Sequence, residues 1–120
     1  MSSEYHNRKI MQDGAVFDSV KEHRRWCELK VLERAGKISD LRRQVKYELI
    51  PVQREPDTVG VRGGVKQGKV IEKPCCYIAG FVYVENGVKV VEDTKGVKTD
   101  AYKIKKKLML KLYGIKIRES

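Results

Sequence analysis

The stretch PCCYIAGFVYVENGVKVVEDTKG, residues 74–96, decides how the rest of the chain is read. Its Asn86-Gly87 pair is a strong hairpin signal, because a type I′ turn needs φ > 0 at both central positions. β-Branched and aromatic residues flank the pair. Tyr77, Ile78, Phe81, Val82, Tyr83 and Val84 precede it, and Val88, Val90 and Val91 follow. With Asn86 and Gly87 as the loop, Glu85 faces Val88, Tyr83 faces Val90, Val82 faces Val91, Gly80 faces Asp93 and Ile78 faces Lys95. Side chains alternate along a strand, so residues 78, 80, 82, 91, 93 and 95 are expected to share one face. That face would carry Asp93 and Lys95 beside the apolar Val82 and Val91.

An acid and a lysine two apart have two readings. One is an exposed Asp-x-Lys at a strand end, next to the turn residue Gly96. The other is a metal-dependent phosphodiester-cleaving core, in which a strand carboxylate holds Mg²⁺ and the lysine stabilises charge or orients the attacking water. The hairpin alone does not choose between them.

At 120 residues with a net charge of +10, the chain has room for one domain (1–120) with a modest core. The charge is uneven: from Lys98 to Ser120 eight Lys or Arg stand against Asp100 and Glu119. That surplus favours a polyanionic partner, nucleic acid ahead of an anionic lipid surface, since no amphipathic anchor flanks it. No apolar run is long enough to span a membrane and no secretory signal opens the chain, so a cytoplasmic protein without a membrane partner is expected. Cys27, Cys75 and Cys76 fit reduced, partly buried thiols: neighbours bridge poorly, and no C-x-x-C or histidine pair suggests zinc.

Working outward, residues 1–8 read as a loose tail and 9–18 as a small hairpin around Asp13-Gly14. A helix from Ser19 to Ala35 opens with an S-x-x-E capping box, Ser19 and Glu22, and Gly36 is placed as its C′ glycine. Glu22 falls between Trp26 and Leu29 on the helical wheel. It either reaches back to the Ser19 amide or projects towards the sheet as a further acid; the two are not exclusive. A strand over 41–51 puts Val45, Tyr47 and Leu49 on one face and Gln44, Lys46, Glu48 and Ile50 on the other. Residues 52–73 are rich in glycine and charge, with no helical period, and read as a mobile loop or loose ribbon whose Arg54, Arg62, Lys66 and Lys69 would track a phosphate backbone. They are no phosphate loop, for G-x-x-x-x-G-K-[ST] is missing. After the hairpin, Thr99 caps a helix over 100–113 with a predicted apolar stripe of Ala101, Ile104, Leu108 and Leu112 and Met109 beside it, and 115–118 is a last short strand. The order helix, strand, hairpin, helix, strand predicts an α/β (α+β) fold, a mixed central sheet with flanking helices.

The segments FDSVKEHRRWCELKVLERAGKISDLRRQ (17–44), KYELIP (46–51), YIAGFVY (77–83), VVEDTKG (90–96) and TDAYKIKKKLMLKLYGIKIRE (99–119) resemble a family of short phage-borne proteins. That family is a domain of unknown function within the PD-(D/E)xK nuclease superfamily, distantly similar to archaeal Holliday-junction resolvases and restriction-enzyme cores. The resemblance implies a restriction-endonuclease-like core and Mg²⁺- or Mn²⁺-dependent DNA endonuclease chemistry in recombination, with branched DNA such as four-way junctions as partner and a homodimer. It assigns Glu22, Asp93 and Lys95 to catalysis, with Glu22, Asp93 and the adjacent Glu92 as metal ligands. It matches Gln44 to a glutamine of the family's second element and places Lys98, Thr99, Tyr102, Lys103 and Lys106 along the DNA backbone; from their charge alone, Lys107 of the same helix and Arg62 and Lys66 of the 52–73 segment are expected to join them.

One position departs from the pattern. Relatives of this kind read YIADFVY, with an aspartate as first metal ligand; this chain has Gly80. The hairpin register independently sets residue 80 opposite Asp93, where an aspartate would bring two carboxylates to Cβ atoms roughly 5 Å apart. Glycine inside a strand also weakens it by roughly 0.5–1 kcal/mol. Three accounts stay open: an Asp→Gly change that disarms the enzyme, a natural binder that has lost cleavage, or a metal shell completed by Glu22 or water. Weak or absent cleavage with DNA binding retained is the expectation. A non-catalytic nucleic-acid-binding recombination accessory protein is the alternative.

Overall fold

A computed structural model of the chain describes residues 10–12, 15–17 and 19–120, with side chains from Phe17 and from Ser19 onward. The tail expected over 1–8 and the Asp13-Gly14 turn lie outside the described residues. Strands β1 (Ile10–Gln12) and β2 (Ala15–Phe17) pair antiparallel, Gln12 opposite Ala15, as the small hairpin predicts. Helix α1 (Val20–Arg34) follows. The Ser19 hydroxyl accepts from the Glu22 amide at 3.1 Å, and Gly36 takes φ +77° past the Ala35 C-cap.

Strand β3 (Ser39–Ile50) leads into a projecting ribbon made of four short strands: β4 (Gln53–Arg54), β5 (Thr58–Val59), β6 (Val65–Lys66) and β7 (Val70–Glu72). β4 pairs β7 and β5 pairs β6, both antiparallel, so this segment is a jointed double ladder. Then come β8 (Cys75–Glu85), β9 (Val88–Asp93), helix α2 (Asp100–Tyr113) and β10 (Arg118–Glu119). The main sheet runs β10-β9-β8-β3. β3, β8 and β9 are antiparallel and β10 joins β9 in parallel, giving a mixed sheet and an α+β fold. The last strand begins three residues later than expected, and Ile117 enters the core from the connection before it.

The β8–β9 hairpin has the predicted register, Glu85 opposite Val88 through Phe81 opposite Glu92, with Asn86 at φ +51° and Gly87 at +76°. Its face assignment needs correcting. Tyr77, Ala79, Val82 and Val91 pack with Tyr102 and Met109 of α2, whereas Phe81 and Tyr83 pack with Leu29 of α1. Residues 77 and 79 thus face one helix and 81 and 83 the other, although their spacing is even. Strand β3 makes the same reversal: Leu41 belongs with α1, and Val45, Tyr47 and Leu49 with α2. The switch lies at Gln44, in the left-handed region at φ +54°, between the pairs Arg43–Phe81 and Val45–Ala79. Ile78 is consequently 51% exposed, off the face that was expected to hold it, and β9 ends at Asp93, before any pairing of Ile78 with Lys95.

The stripe expected on α2 is also displaced. Leu108 packs half-buried against the core and Met109 is buried, as expected, together with Tyr102 and the half-buried Lys105 and Lys106; Ala101, Ile104 and Leu112 are exposed. Thr99 caps the helix as predicted, accepting from the Tyr102 amide at 3.1 Å, and Gly114 ends it at φ +68°.

Candidate functional site

Asp93 closes β9 with its side chain on the α2 side of the sheet, 2% exposed. The Tyr77 hydroxyl donates to Oδ2 at 2.5 Å and the Thr94 amide to Oδ1 at 3.0 Å. Lys95 Nζ lies 3.8 Å from Oδ2 and 5.3 Å from the centre of the Tyr102 ring. Asp93 and Lys95 therefore form a real pair, with the lysine about one-third exposed and the acid buried. Burial, then the Asp93 hydrogen bond, push the Tyr77 phenol far above its usual value, so it stays a proton donor. Beyond the ring, Tyr102 donates to Glu119 Oε2 at 2.8 Å, and Lys98 and Lys106 each reach Oε1 at 3.2 Å. The Tyr102 hydrogen bond, helped by the two ammonium groups, holds Glu119 at about 2.

Gly80 points into this cluster. A Cβ built there would stand 3.2 Å from Asp93 Oδ1 and 3.8 Å from its Cγ. Residue 80 thus lies against Asp93, as counting along the hairpin predicts, and glycine has a local use: any side chain there would press on the Asp93 carboxylate.

The other two acids belong to the α1 side. Glu92 is fully buried and receives Arg25 twice, Nε to Oε2 at 2.6 Å and Nη2 to Oε1 at 3.1 Å, plus the Tyr83 hydroxyl at 2.5 Å. Burial alone would raise its pKa, but hydrogen bonds from Arg25, Tyr83 and Ser120 outweigh it and the net shift is downward. Adjacent residues of a strand point oppositely, so Glu92 turns its back on Asp93. Glu22 is 6% exposed, with Oε1 3.5 Å from Arg43 Nη2; the Arg43 guanidinium also lies 4.0 Å over the Phe17 ring. The inward reading of Glu22 therefore holds, while its part in the cap shown here is its backbone amide donating to the Ser19 hydroxyl.

Magnesium asks for near-octahedral oxygen ligation with one or two carboxylates. Among the described residues no three Asp, Glu, His or Cys side chains converge as a metal-holding group. Glu92 is committed to Arg25 and Tyr83, Glu22 lies against Arg43, and position 80 offers no oxygen. As placed here, Glu22 and Glu92 lie on the α1 side and Asp93 on the α2 side, so the expected ligand set does not converge on one Mg²⁺ or Mn²⁺ position and the residues present do not fit a resident ion.

The expected DNA-facing residues divide. Lys103 and Lys107 are exposed on α2, and Arg62 and Lys66 are exposed on the ribbon. Lys98 and Lys106 are paired with Glu119, the Thr99 hydroxyl caps α2, and Tyr102 is buried at 6%. All four take part in the cluster; Lys98 and Thr99 are nevertheless exposed and Lys106 half-buried, so of the four only Tyr102 is withdrawn from the surface. Gln44 marks the face reversal. Tyr77, Arg25, Tyr83 and Glu119 escaped the sequence reading. Tyr77 was hidden because strict alternation counted back from Val82 puts it on the wrong face.

No helix among the described residues is long and apolar enough to cross a membrane. No curated protein and no solved structure matches the chain. A family profile does match, over residues 2–118, and its description is "Protein of unknown function (DUF1064)". With nearly the whole chain matched, the protein belongs to the DUF1064 family.

Proposed function

We propose that the chain is a phage-encoded DNA-binding protein on a PD-(D/E)xK nuclease scaffold, acting on branched or duplex DNA as a homodimer, with cleavage weak or lost. The observation that carries this is the Asp93–Lys95 pair at the end of β9, with the backbone of Gly80 aimed at the Asp93 carboxylate. A pairing of this kind at a strand end is what a two-carboxylate site would leave behind after losing one carboxylate. The net charge of +10 and the exposed Lys103, Lys107, Arg62 and Lys66 supply the attraction for phosphates.

In this reading Lys95 and the exposed lysines of α2 hold the DNA backbone without reading sequence, so affinity falls steeply with salt. Asp93 keeps Lys95 in place, and Tyr77 holds the Asp93 carboxylate. No hydrolytic step is assigned, because the ligand set is incomplete. That incompleteness favours a second reading, a non-catalytic recombination accessory protein.

A cleavage assay on a four-way junction and on linear duplex, with Mg²⁺ and Mn²⁺, separates the two. Restored cutting by Gly80→Asp, with the parent chain binding only, is expected from a disarmed nuclease. If both proteins bind and neither cuts, the accessory reading replaces it.

A further inference from the structure

The ribbon over residues 51–74 is an arm that buries almost nothing. Every residue in it is exposed apart from the half-buried Gly60 and Gly68. The described residues extend 62 Å along their longest axis with a radius of gyration of 19.0 Å, against roughly 13–14 Å for a compact domain of this length. Ordering such an arm costs conformational entropy that no core contact offsets. It is nevertheless built to a defined shape. The Glu55 amide donates to the Lys69 carbonyl at 2.8 Å, the Gly68 amide to Asp57 Oδ1 at 3.0 Å, and Arg54 Nη1 to the Gly68 carbonyl at 3.0 Å. At this elbow a Cβ on Gly68 would run into the Glu55 carbonyl, so only glycine lets the two limbs come together.

Beyond the elbow the arm changes character. From Thr58 to Gln67 it carries Arg62 and Lys66 and no acid, whereas the elbow and the inner limb mix Arg54, Lys69 and Lys73 with Glu55, Asp57 and Glu72. Its apolar residues have no cover: Val59 is 76% exposed, Val65 75%, and Val61 107%. The tip, Gly60 to Gly64, is closed by the Gly60 amide on the Gly64 carbonyl and the Gly63 amide on the Gly60 carbonyl, which thrusts Val61 and Arg62 outward. A narrow two-stranded ribbon ending in a branched apolar side chain beside an arginine fits a DNA groove: the arginine is drawn to the negative minor groove and the apolar group wedges against a base step.

We propose that this arm is a DNA-engaging element whose Val61–Arg62 tip enters the minor groove and partly unstacks a base step. Charge points to the class of partner, since the outer arm carries two cations and no acid and so complements phosphate. The inference rests on the DNA-binding reading above and adds to it a site and a mode of contact.

The test uses the full chain and a 30-base-pair duplex carrying 2-aminopurine, with anisotropy for affinity and base fluorescence for unstacking. The parent protein is expected to bind and to raise the 2-aminopurine signal. Val61→Ser abolishes that rise, and Arg62→Ala weakens binding about tenfold and lowers the salt slope by about one. Both substitutions are at exposed positions, and circular dichroism confirms that the fold is kept. Lys103→Ala on α2 weakens binding while the fluorescence rise survives at saturation. If the parent binds and both tip variants match it in affinity and fluorescence, the arm proposal is overturned and the DNA reading stands. If the parent binds no DNA, both fall.

Discussion

Placing an aspartate at position 80 tests the face of the sheet on which the candidate site depends. The new Cβ would start 3.2 Å from Asp93 Oδ1, so the two carboxylates would sit side by side in a buried setting. Two charges about 4 Å apart repel by about 4 kcal/mol at an effective dielectric near 20. Protonating one of them instead, from a pKa of about 3.9 up to pH 7, costs about the same. Removing a strand glycine returns about 0.5–1 kcal/mol, and Lys95, 3.8 Å from Asp93, offsets part of the remainder. A loss of about 2–3 kcal/mol, or about 10 °C in Tm, is expected for Gly80→Asp in EDTA at pH 7. The added carboxyl has a folded pKa raised above its unfolded value. Its penalty is therefore absent below the unfolded value and grows as pH rises through the folded one, so the gap to the parent should narrow from pH 7 to pH 4.5. Gly80→Asn, similar in shape without the charge, should lose less and show no such narrowing. Millimolar Mg²⁺ should recover stability in the aspartate variant alone, because only there does the folded state gain a second ligand. Thermal melts at several pH values, with and without Mg²⁺, read all of this. Equal stability of Gly80→Asp and parent in EDTA across the range would refute the placement of residue 80 against Asp93.

Arg25→Met leaves Glu92 fully buried without its main partner, and a loss of about 3–5 kcal/mol in urea unfolding is expected, partly recovered by adding Glu92→Gln. Glu119 is held at about 2, below its unfolded value, so its contribution is present above about pH 4.5 and lost as pH falls towards 2. Glu119→Gln should flatten that acid limb in urea midpoints measured against pH, modestly, since the side chain is partly exposed. Gln44→Gly relieves a left-handed backbone at φ +54° and should stabilise the chain by about 0.5–1 kcal/mol, read by the same denaturation.

The hairpin register from Glu85–Val88 to Phe81–Glu92 was legible because Asn86-Gly87 dictates a two-residue turn and the pairs follow by counting; the count overran only where β9 stops at Asp93. Both helix starts were legible for a similar reason: Ser19 and Thr99 are local caps that act on the amide three residues on. What failed was extrapolation. Alternation was carried straight through Gly80, but a left-handed residue at Gln44 turns both strands over there, and no residue type at position 44 announces it. On α2 the apolar residues outnumber the places in the core. Tyr102 and Met109 take the buried side with the stems of Lys105 and Lys106 lying alongside, and Ile104 and Leu112 are left outside. Glu92 was read with Asp93 because the two are neighbours in sequence, which on a strand is the reason they part.

The reversal at Gln44 and Gly80 also bears on how the molecule comes undone. One face of the sheet serves α1 through Leu29, Phe81 and Tyr83, and the other serves α2 through Tyr77, Ala79, Val82 and Met109. Each helix thus closes over its own cluster, and the two clusters meet only through the shared strands. Amides of α1 and of α2 should then exchange with solvent hydrogen in two separate groups, each set by the local opening of its own cluster rather than by a single global event.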